Sequence, residues 1–235
     1  MSSFETISAG IHVWRYPVLD VNVSLIVGRR KALLIDTLAC ASQGRVLAHA
    51  VAELTPLPVT ILNTHIHFDH TFGNAEVSKH LPVDGIWAHH SVAEAMRRRP
   101  DALRASAARE CRELVPELAT EVAGTALRAP TNSITDQHIF DLGDCFVEVW
   151  HPGPAHTHGD LIAKCHDVTF AGDLVEESGP ADVGPESDLN NWPRVLDSLL
   201  PSMTGPVVPG HGAVVNARFV QRQKDLLAGR SSPAG

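Results

Sequence analysis

Short β-type runs in this sequence end, four times over, on histidine or aspartate. "VTIL" (59–62) leads into "NTHIHFDHTFGN" (63–74), which sets His65, His67, Asp69 and His70 within six positions. "CFVEVWH" (145–151) is followed by His156, "VTFAGDL" (168–174) carries Asp173, and "PVVPG" (206–210) leads to His211. Loops at strand ends are where a rigid layered scaffold presents functional side chains, so these four loops are expected to meet at one cleft.

The pattern between them fits such a scaffold. "NVSLIVG" (22–28) and "KALLIDT" (31–37), separated by Arg29 and Arg30, read as a hairpin of buried strands. Val46, Leu47, Val51 and Leu54 fall at helical spacing within 42–54, ahead of the strand "VTIL". A short helix over Ala75 to Leu81, a strand over 85–90 and a helical region from about Ser91 to Ala126, broken by Pro100 and Pro116, follow. The second half repeats the strand-rich pattern with runs at 138–143, 145–151, 160–167 and 168–174, then a Gly/Pro/acid-rich loop (175–190). A helix from near Asn191, the strand 206–210 and a last helix from about Ala217 to Leu227 complete it. Two halves that each mix strands and helices predict two sheets packed face to face with helices outside. At 235 residues and 44% hydrophobic content, one domain spanning 1–235 is expected.

Composition excludes several classes of function. A formal charge of -8 argues against nucleic acid as the main partner. The start "MSSFETISAGIHVW" lacks a basic and apolar leader, and no segment has the roughly 18 uninterrupted apolar residues of a membrane span, so a cytoplasmic protein is expected. Cys40, Cys111, Cys145 and Cys165 form no CxxC pair and read as reduced, mostly buried hydrophobes. The six arginines of 96–114 read as a solvated helix face, with Arg97, Arg98 and Arg99 as the alternative contact for an anionic substrate.

The donor spacing suits metal. In a nearly extended segment His65 and His67 point the same way and can offer two nitrogens to one ion, with a third expected from His156. As the chain bends into a helix, Asp69 and His70 would face a second position, which His211 completes, and Asp173 can bridge the two with its carboxylate oxygens. His158 is a candidate to support these ligands, and His89 and His90 read as structural.

The ordered set of Asp36 in "LLIDT", "THIHFDH", His156 in "PGPAHTHGD", Asp173 in "FAGDLV" and His211 in "PGHG" resembles the metallo-β-lactamase fold superfamily over roughly residues 20–215. The resemblance implies an α/β fold, a four-layer αββα sandwich of two mixed sheets flanked by helices. It also implies two metal ions per chain, usually zinc with iron or manganese as alternatives, and Asp36 as a structural carboxylate beneath the metal loop. It places a helical lid-like insertion at about 91–130 and a second pocket wall at 176–189. The implied chemistry is hydrolysis, in which a metal-bridging hydroxide oriented by Asp69 attacks a small-molecule ester, thioester, lactone or amide.

Departures from known subfamilies narrow this expectation. The commonest zinc β-lactamases carry Cys at the position of Asp173 and a substrate-binding Lys at that of Glu176, where a carboxylate would repel a β-lactam. Little chain follows His211 to form the basic helical domain typical of glyoxalase II. The only tyrosine, Tyr16, lies far from the motifs, unlike that of quorum-quenching lactonases, and neither length nor charge suggests an RNA-processing member. The same ligands also suit an iron redox enzyme of flavodiiron or persulfide dioxygenase type, and a non-catalytic metal-binding module is the remaining alternative.

Overall fold

The computed structural model describes residues 4–231. Its first sheet has seven strands in chain order: β1 (Glu5–Ser8), β2 (Ile11–Arg15), β3 (Asn22–Val27), β4 (Ala32–Ile35), β5 (Val59–Leu62), β6 (Val83–His89) and β7 (Asn132–Ile134). β1 to β4 run antiparallel and β4 to β7 parallel, because helices cross over between the later strands. The second sheet has the order β12-β11-β10-β9-β8 and comprises β8 (Gln137–Asp141), β9 (Phe146–Trp150), β10 (Ile162–Cys165), β11 (Val168–Glu176) and β12 (Val207–His211). Only its β11–β12 pair is parallel.

Three apolar layers hold the sandwich together. Ile11, Ile26, Leu33 and Leu62 of the first sheet meet Phe140, Val149, Phe170 and Val208 of the second. The outer face of the first sheet packs Leu34 and Ile61 against Leu47 and Val51 of α1 (Ala41–Leu54), with Val77 of a helix further along the chain. The outer face of the second packs Ile162 and Leu174 against Trp192 and Leu196 of one late helix and Val220 and Leu227 of another. Full burial of each large side chain contributes about 1.5–3 kcal/mol. The expected αββα sandwich of two mixed sheets is therefore observed.

The helices after β5 are short because the chain turns sharply there. α2 (Phe68–Thr71) is a single turn and α3 (Asn74–His80) follows it. The region after β6 is helical as expected, with α4 (His90–Arg98), α5 (Pro100–Leu114) and α6 (Ala119–Gly124). Pro100 opens α5 at a position where its missing N–H costs nothing, and Pro116 lies in the turn after it. α7 (Trp192–Leu199) and α8 (Ala217–Ser231) cover the second sheet. β1, β2 and β7 were not expected from sequence: β1 has exposed and half-exposed positions only, and β7 is three residues long. All four cysteines are free, and Cys145 alone is not fully buried. Among the described residues no helix is long and apolar enough to cross a membrane. The first three and last four positions of the expected 1–235 domain lie outside the described residues.

One close approach fixes where α2 and α3 sit. A Cβ added at Gly73, between them, would lie 1.7 Å from the carbonyl oxygen of Thr37. Gly73→Ala is therefore expected to destabilise the fold by about 3 kcal/mol. In thermal unfolding this corresponds to a fall of roughly 6–12 °C in Tm for a chain of this size. Gly124→Ala, at a site with nothing within 4 Å of the new Cβ, serves as the control and is expected to stay within about 2 °C of the parent.

Candidate metal centre

The loop after β5 is built from below by side-chain hydrogen bonds. Asn63 and Asn74, the two ends of the "NTHIHFDHTFGN" stretch, bond to each other at 2.8 and 3.1 Å, and Asn63 Nδ2 donates to the His70 carbonyl at 3.0 Å. Thr37 Oγ1 donates to Asn74 Oδ1 at 2.9 Å. Asp36 has a left-handed backbone (φ 64°), a conformation that costs an aspartate energy and is retained where surrounding contacts demand it. Its carboxylate accepts from Thr64 N (2.8 Å), Thr64 Oγ1 (2.7 Å) and His70 Nδ1 (2.8 Å). The structural role expected of Asp36 is thus seen in its contacts.

All seven expected ligands come together, in two groups. Donor atoms of His65, His67, His156 and Asp173 lie within 4.8 Å of one another, and so do those of Asp69, His70 and His211. In the first group His67 Nδ1 is 3.0 Å from His156 Nε2, and Asp173 Oδ2 is 3.3 Å from His65 Nε2 and 3.5 Å from His156 Nε2. In the second, His211 Nε2 is 3.3 Å from both His70 Nε2 and Asp69 Oδ2. Asp173 joins the groups, with Oδ1 3.2 Å from His70 Nε2 and Oδ2 3.4 Å from His211 Nε2.

These separations fit a shared cation. Two donors each about 2.1 Å from a tetrahedral ion lie about 3.4 Å apart. His65 Nε2 and Asp173 Oδ1 are buried without a hydrogen-bond partner, a costly arrangement unless a ligand completes it. Each imidazole is also anchored through its other nitrogen: His65 Nδ1 to Thr64 Oγ1 (3.0 Å), His67 Nε2 to Glu186 Oε1 (3.0 Å) and His70 Nδ1 to Asp36. His156 Nδ1 meets the Asp182 carbonyl (3.1 Å) and His211 Nδ1 the Leu19 carbonyl (2.7 Å). An N–H···O bond at one nitrogen fixes the tautomer that leaves the other free to ligate.

The electrostatics of the chain's own groups follow from this crowding. Burial pushes His65 down to about 4 and His156 to about 3, so both are neutral at pH 7. Burial also opposes charge on His67, but the Glu186 bond and the nearby aspartates overcome it and raise His67 to about 9. Against the same opposition Asp173 and Asp69 raise His211 to about 12 and His70 well above its ordinary value. Asp69 and Asp173 are correspondingly held below the usual carboxylate range, His70 outweighing their burial.

Glu186, Thr64 and the Asp182 and Leu19 carbonyls were missed from sequence. Glu186 sits in the Gly/Pro/acid-rich loop expected to form a wall, with no local pattern to mark it, whereas the hydroxyl of Thr64 beside His65 was a readable signal. His158, a candidate to support the ligands, is exposed. Asp160 buttresses the loop instead, accepting from Thr157 N (2.9 Å) and Oγ1 (2.6 Å), the residue after His156. His89 and His90 stay outside the centre: His89 is buried, stacks on His151 at 4.2 Å and bonds Ser91. Glu176 departs from the charged group expected, since burial and Asp173 push its carboxyl up to about 8 and Asp182 N donates to it.

The centre lies at the floor of a cleft of about 850 Å³. α5 and the 176–186 segment both line it, and Ile66, Phe68 and Phe72 give it apolar surface. Arg99 lines the cleft, while Arg97 bonds the Pro130 carbonyl and Arg98 pairs with Glu94 away from it.

Residues 16–211 match the pattern of the Metallo-beta-lactamase superfamily. The chain belongs to that superfamily. Among characterised members it is 25% identical over 208 residues to "Acyl-coenzyme A thioesterase MBLAC2" of Homo sapiens, covering 81% of this chain and 72% of that protein. It is 26% identical over 163 residues to the protein of that name from Bos taurus, covering 66% of this chain and 56% of the relative. The match thus spans only part of these longer relatives. Among solved structures, a metallo-beta-lactamase from Pontibacter korlensis superimposes with TM-score 0.74 at 18% identity, covering 96% and 98% of the two chains. The metallo-beta-lactamase FIM-1 from Pseudomonas aeruginosa, in its mono-zinc form, gives 0.71 at 18% identity, covering 98% and 96%. At these identities the structures establish the shared superfamily fold.

Metal ligation requires neutral imidazole, so the raised histidines set a proton count. Below their folded-state values His67, His70 and His211 are charged, and two divalent cations binding at pH 7 are expected to displace about three protons per chain. Calorimetry in buffers of differing ionisation enthalpy reads that number. Glu186→Gln, which removes the first group raising His67, is expected to lower it, and a count near zero in the parent contradicts the assignment.

Proposed function

We propose that this chain is a dinuclear metal-dependent hydrolase of small acyl esters or thioesters. The observation that carries the reading is that seven donors from four segments of the chain converge, each imidazole anchored at one nitrogen and turned by the other toward the shared centre, beside a substrate-sized cleft. Thioesters come forward from the wider set of esters, thioesters, lactones and amides because the relatives named above are acyl-coenzyme A thioesterases. No cationic side chain occupies the Glu176 position, so a dedicated β-lactamase finds no support there.

His65, His67 and His156 would hold one ion and Asp69, His70 and His211 the other, with Asp173 between them. Zinc suits this imidazole and carboxylate set, although iron and manganese accept the same donors. Such ions supply Lewis acidity toward the substrate carbonyl and bring the ionisation of water near neutral pH. The chain's own contribution is placement. Asp69 lines the cleft, and its carboxylate, held ionised by His70 and His211, would accept a hydrogen bond from the attacking water and orient it toward the carbonyl carbon. Asp36 and Thr64 hold the loop that carries Asp69, and Ile66, Phe68 and Phe72 exclude bulk water from one side of the cleft.

Asp69→Ala tests the reading. With metal supplied at saturation and folding checked by circular dichroism, its kcat/KM on an aryl ester or acyl thioester is expected to fall at least about 100-fold. A rate equal to the parent's, with metal still bound, overturns the mechanism.

A further inference from the structure

Each sheet of the sandwich has two edge strands, and three of the four edges carry a feature that blocks further pairing. β1 shifts register between Thr6 and Ser8, and β7 is only three residues long. The free side of β12 is taken by Val215, whose backbone exchanges two hydrogen bonds with Val207 at 2.8 and 2.9 Å. β8 has no such protection. Its five residues pair with β9 without a shift, include no Lys or Pro, and carry one acid, Asp141, that is tied to Arg30.

The parity of the ladder decides which backbone groups face this edge. The Asp136 carbonyl accepts from His151 N and the Cys145 carbonyl from Leu142 N, so the hydrogen-bonded pairs of the antiparallel ladder fall on 136, 138, 140 and 142. The N–H and C=O groups of Gln137, Ile139 and Asp141 therefore point away from β9, and among the described residues nothing pairs with them. The side chains of these three turn to the outside of the sandwich, since Phe140 between them is buried against the first sheet. Ile139 is 59% exposed, and Phe146, across from Asp141 on β9, is 63% exposed. An apolar surface thus adjoins an open row of donors and acceptors.

We infer that β8 docks the β8 of a second copy of this chain, antiparallel, about a two-fold axis at Ile139. The strand is complementary to its own reverse. In that register Ile139 faces the partner's Ile139 and Gln137 the partner's Asp141, so each outward N–H meets a C=O and an amide donor meets a carboxylate. The charges obey the same symmetry. Asp136, at one end of the strand, is exposed and has no ion pair among the described residues. At the other end stand Arg29 and Arg30, held there by Arg29 N to the Asp144 carboxylate (2.8 Å) and Arg30 N to the Leu142 carbonyl (2.8 Å). Arg29 is exposed, and among the described residues its guanidinium has no ion pair. The two-fold brings Asp136 of each copy to the Arg29 end of the other. The remaining acid on this face, Glu148, lies across from Lys164 on β10. A self-complementary edge closes as a symmetric dimer and leaves no free strand behind. The inference is independent of the hydrolase reading.

Sedimentation equilibrium of the full chain over a range of concentrations tests it. The parent is expected to reach twice the mass of one chain, and hydrogen exchange at the Ile139 amide is expected to slow as the dimer forms. Ile139→Lys sets two ammonium groups against each other on the axis and is expected to weaken association at least about 100-fold. Asp136→Arg, which faces Arg29 of the partner, is expected to weaken it about 10-fold at low salt and less at high salt. Val46→Lys replaces a 49% exposed apolar side chain on α1, across the sandwich, and is expected to leave association unchanged. Folding of each variant is checked by circular dichroism. A parent that stays monomeric at every concentration overturns the inference. So does an Ile139→Lys or Asp136→Arg chain that dimerises as tightly as the parent, or a Val46→Lys chain that loses the dimer as fully as Ile139→Lys.

Discussion

The buried carboxylate of Asp36 is the contact on which the site depends. It sits at the end of β4, in a backbone conformation that aspartate adopts only when held there, and ties a backbone N–H, a hydroxyl and an imidazole N–H to one point. Those three groups belong to Thr64, just before the ligand run, and to His70, its last member. The strand pairing of β4 with β5 brings Asp36 beneath that run, so the arrangement of the first sheet is converted into the orientation of the imidazoles. Burial raises the Asp36 carboxyl, and the hydrogen bonds from His70 and Thr64 oppose that rise; the anion is affordable in the interior only because three donors surround it.

The second sheet completes the centre by the same logic. β11 and β12 pair in parallel, which sets Asp173, within β11, beside His211 at the end of β12, and the β9–β10 connection delivers His156. Neither sheet alone holds both ligand groups. The apolar layer between the sheets therefore does more than stabilise the fold, because it sets the distance across which Asp173 reaches both groups.

Much of this was legible in the sequence because the donors are spaced by backbone geometry. His65 and His67 alternate as an extended segment requires, Asp69 and His70 follow where the chain turns into α2, and the strands before them are short apolar runs. The supporting contacts were less legible. Glu186 bonds His67 across 119 positions of sequence, and the Leu19 carbonyl bonds His211 across 192, so neither leaves a local pattern. His158 looked suitable by position alone, yet the turn that Asp160 makes with Thr157 leaves it in solvent. The edge strands β1 and β7 escaped notice for a related reason: their residues carry little apolar alternation, and pairing with a neighbour defines them.

The central claim is that two cations share one carboxylate between two sets of imidazoles. Elemental analysis of the dialysed full chain, for the parent and for His156→Ala and His211→Ala, addresses it most directly. The account predicts two equivalents of divalent metal per chain in the parent and about one in each variant, since each substitution removes a ligand from a different group. A parent that binds no metal after incubation with zinc, or variants that both retain two equivalents, would contradict it.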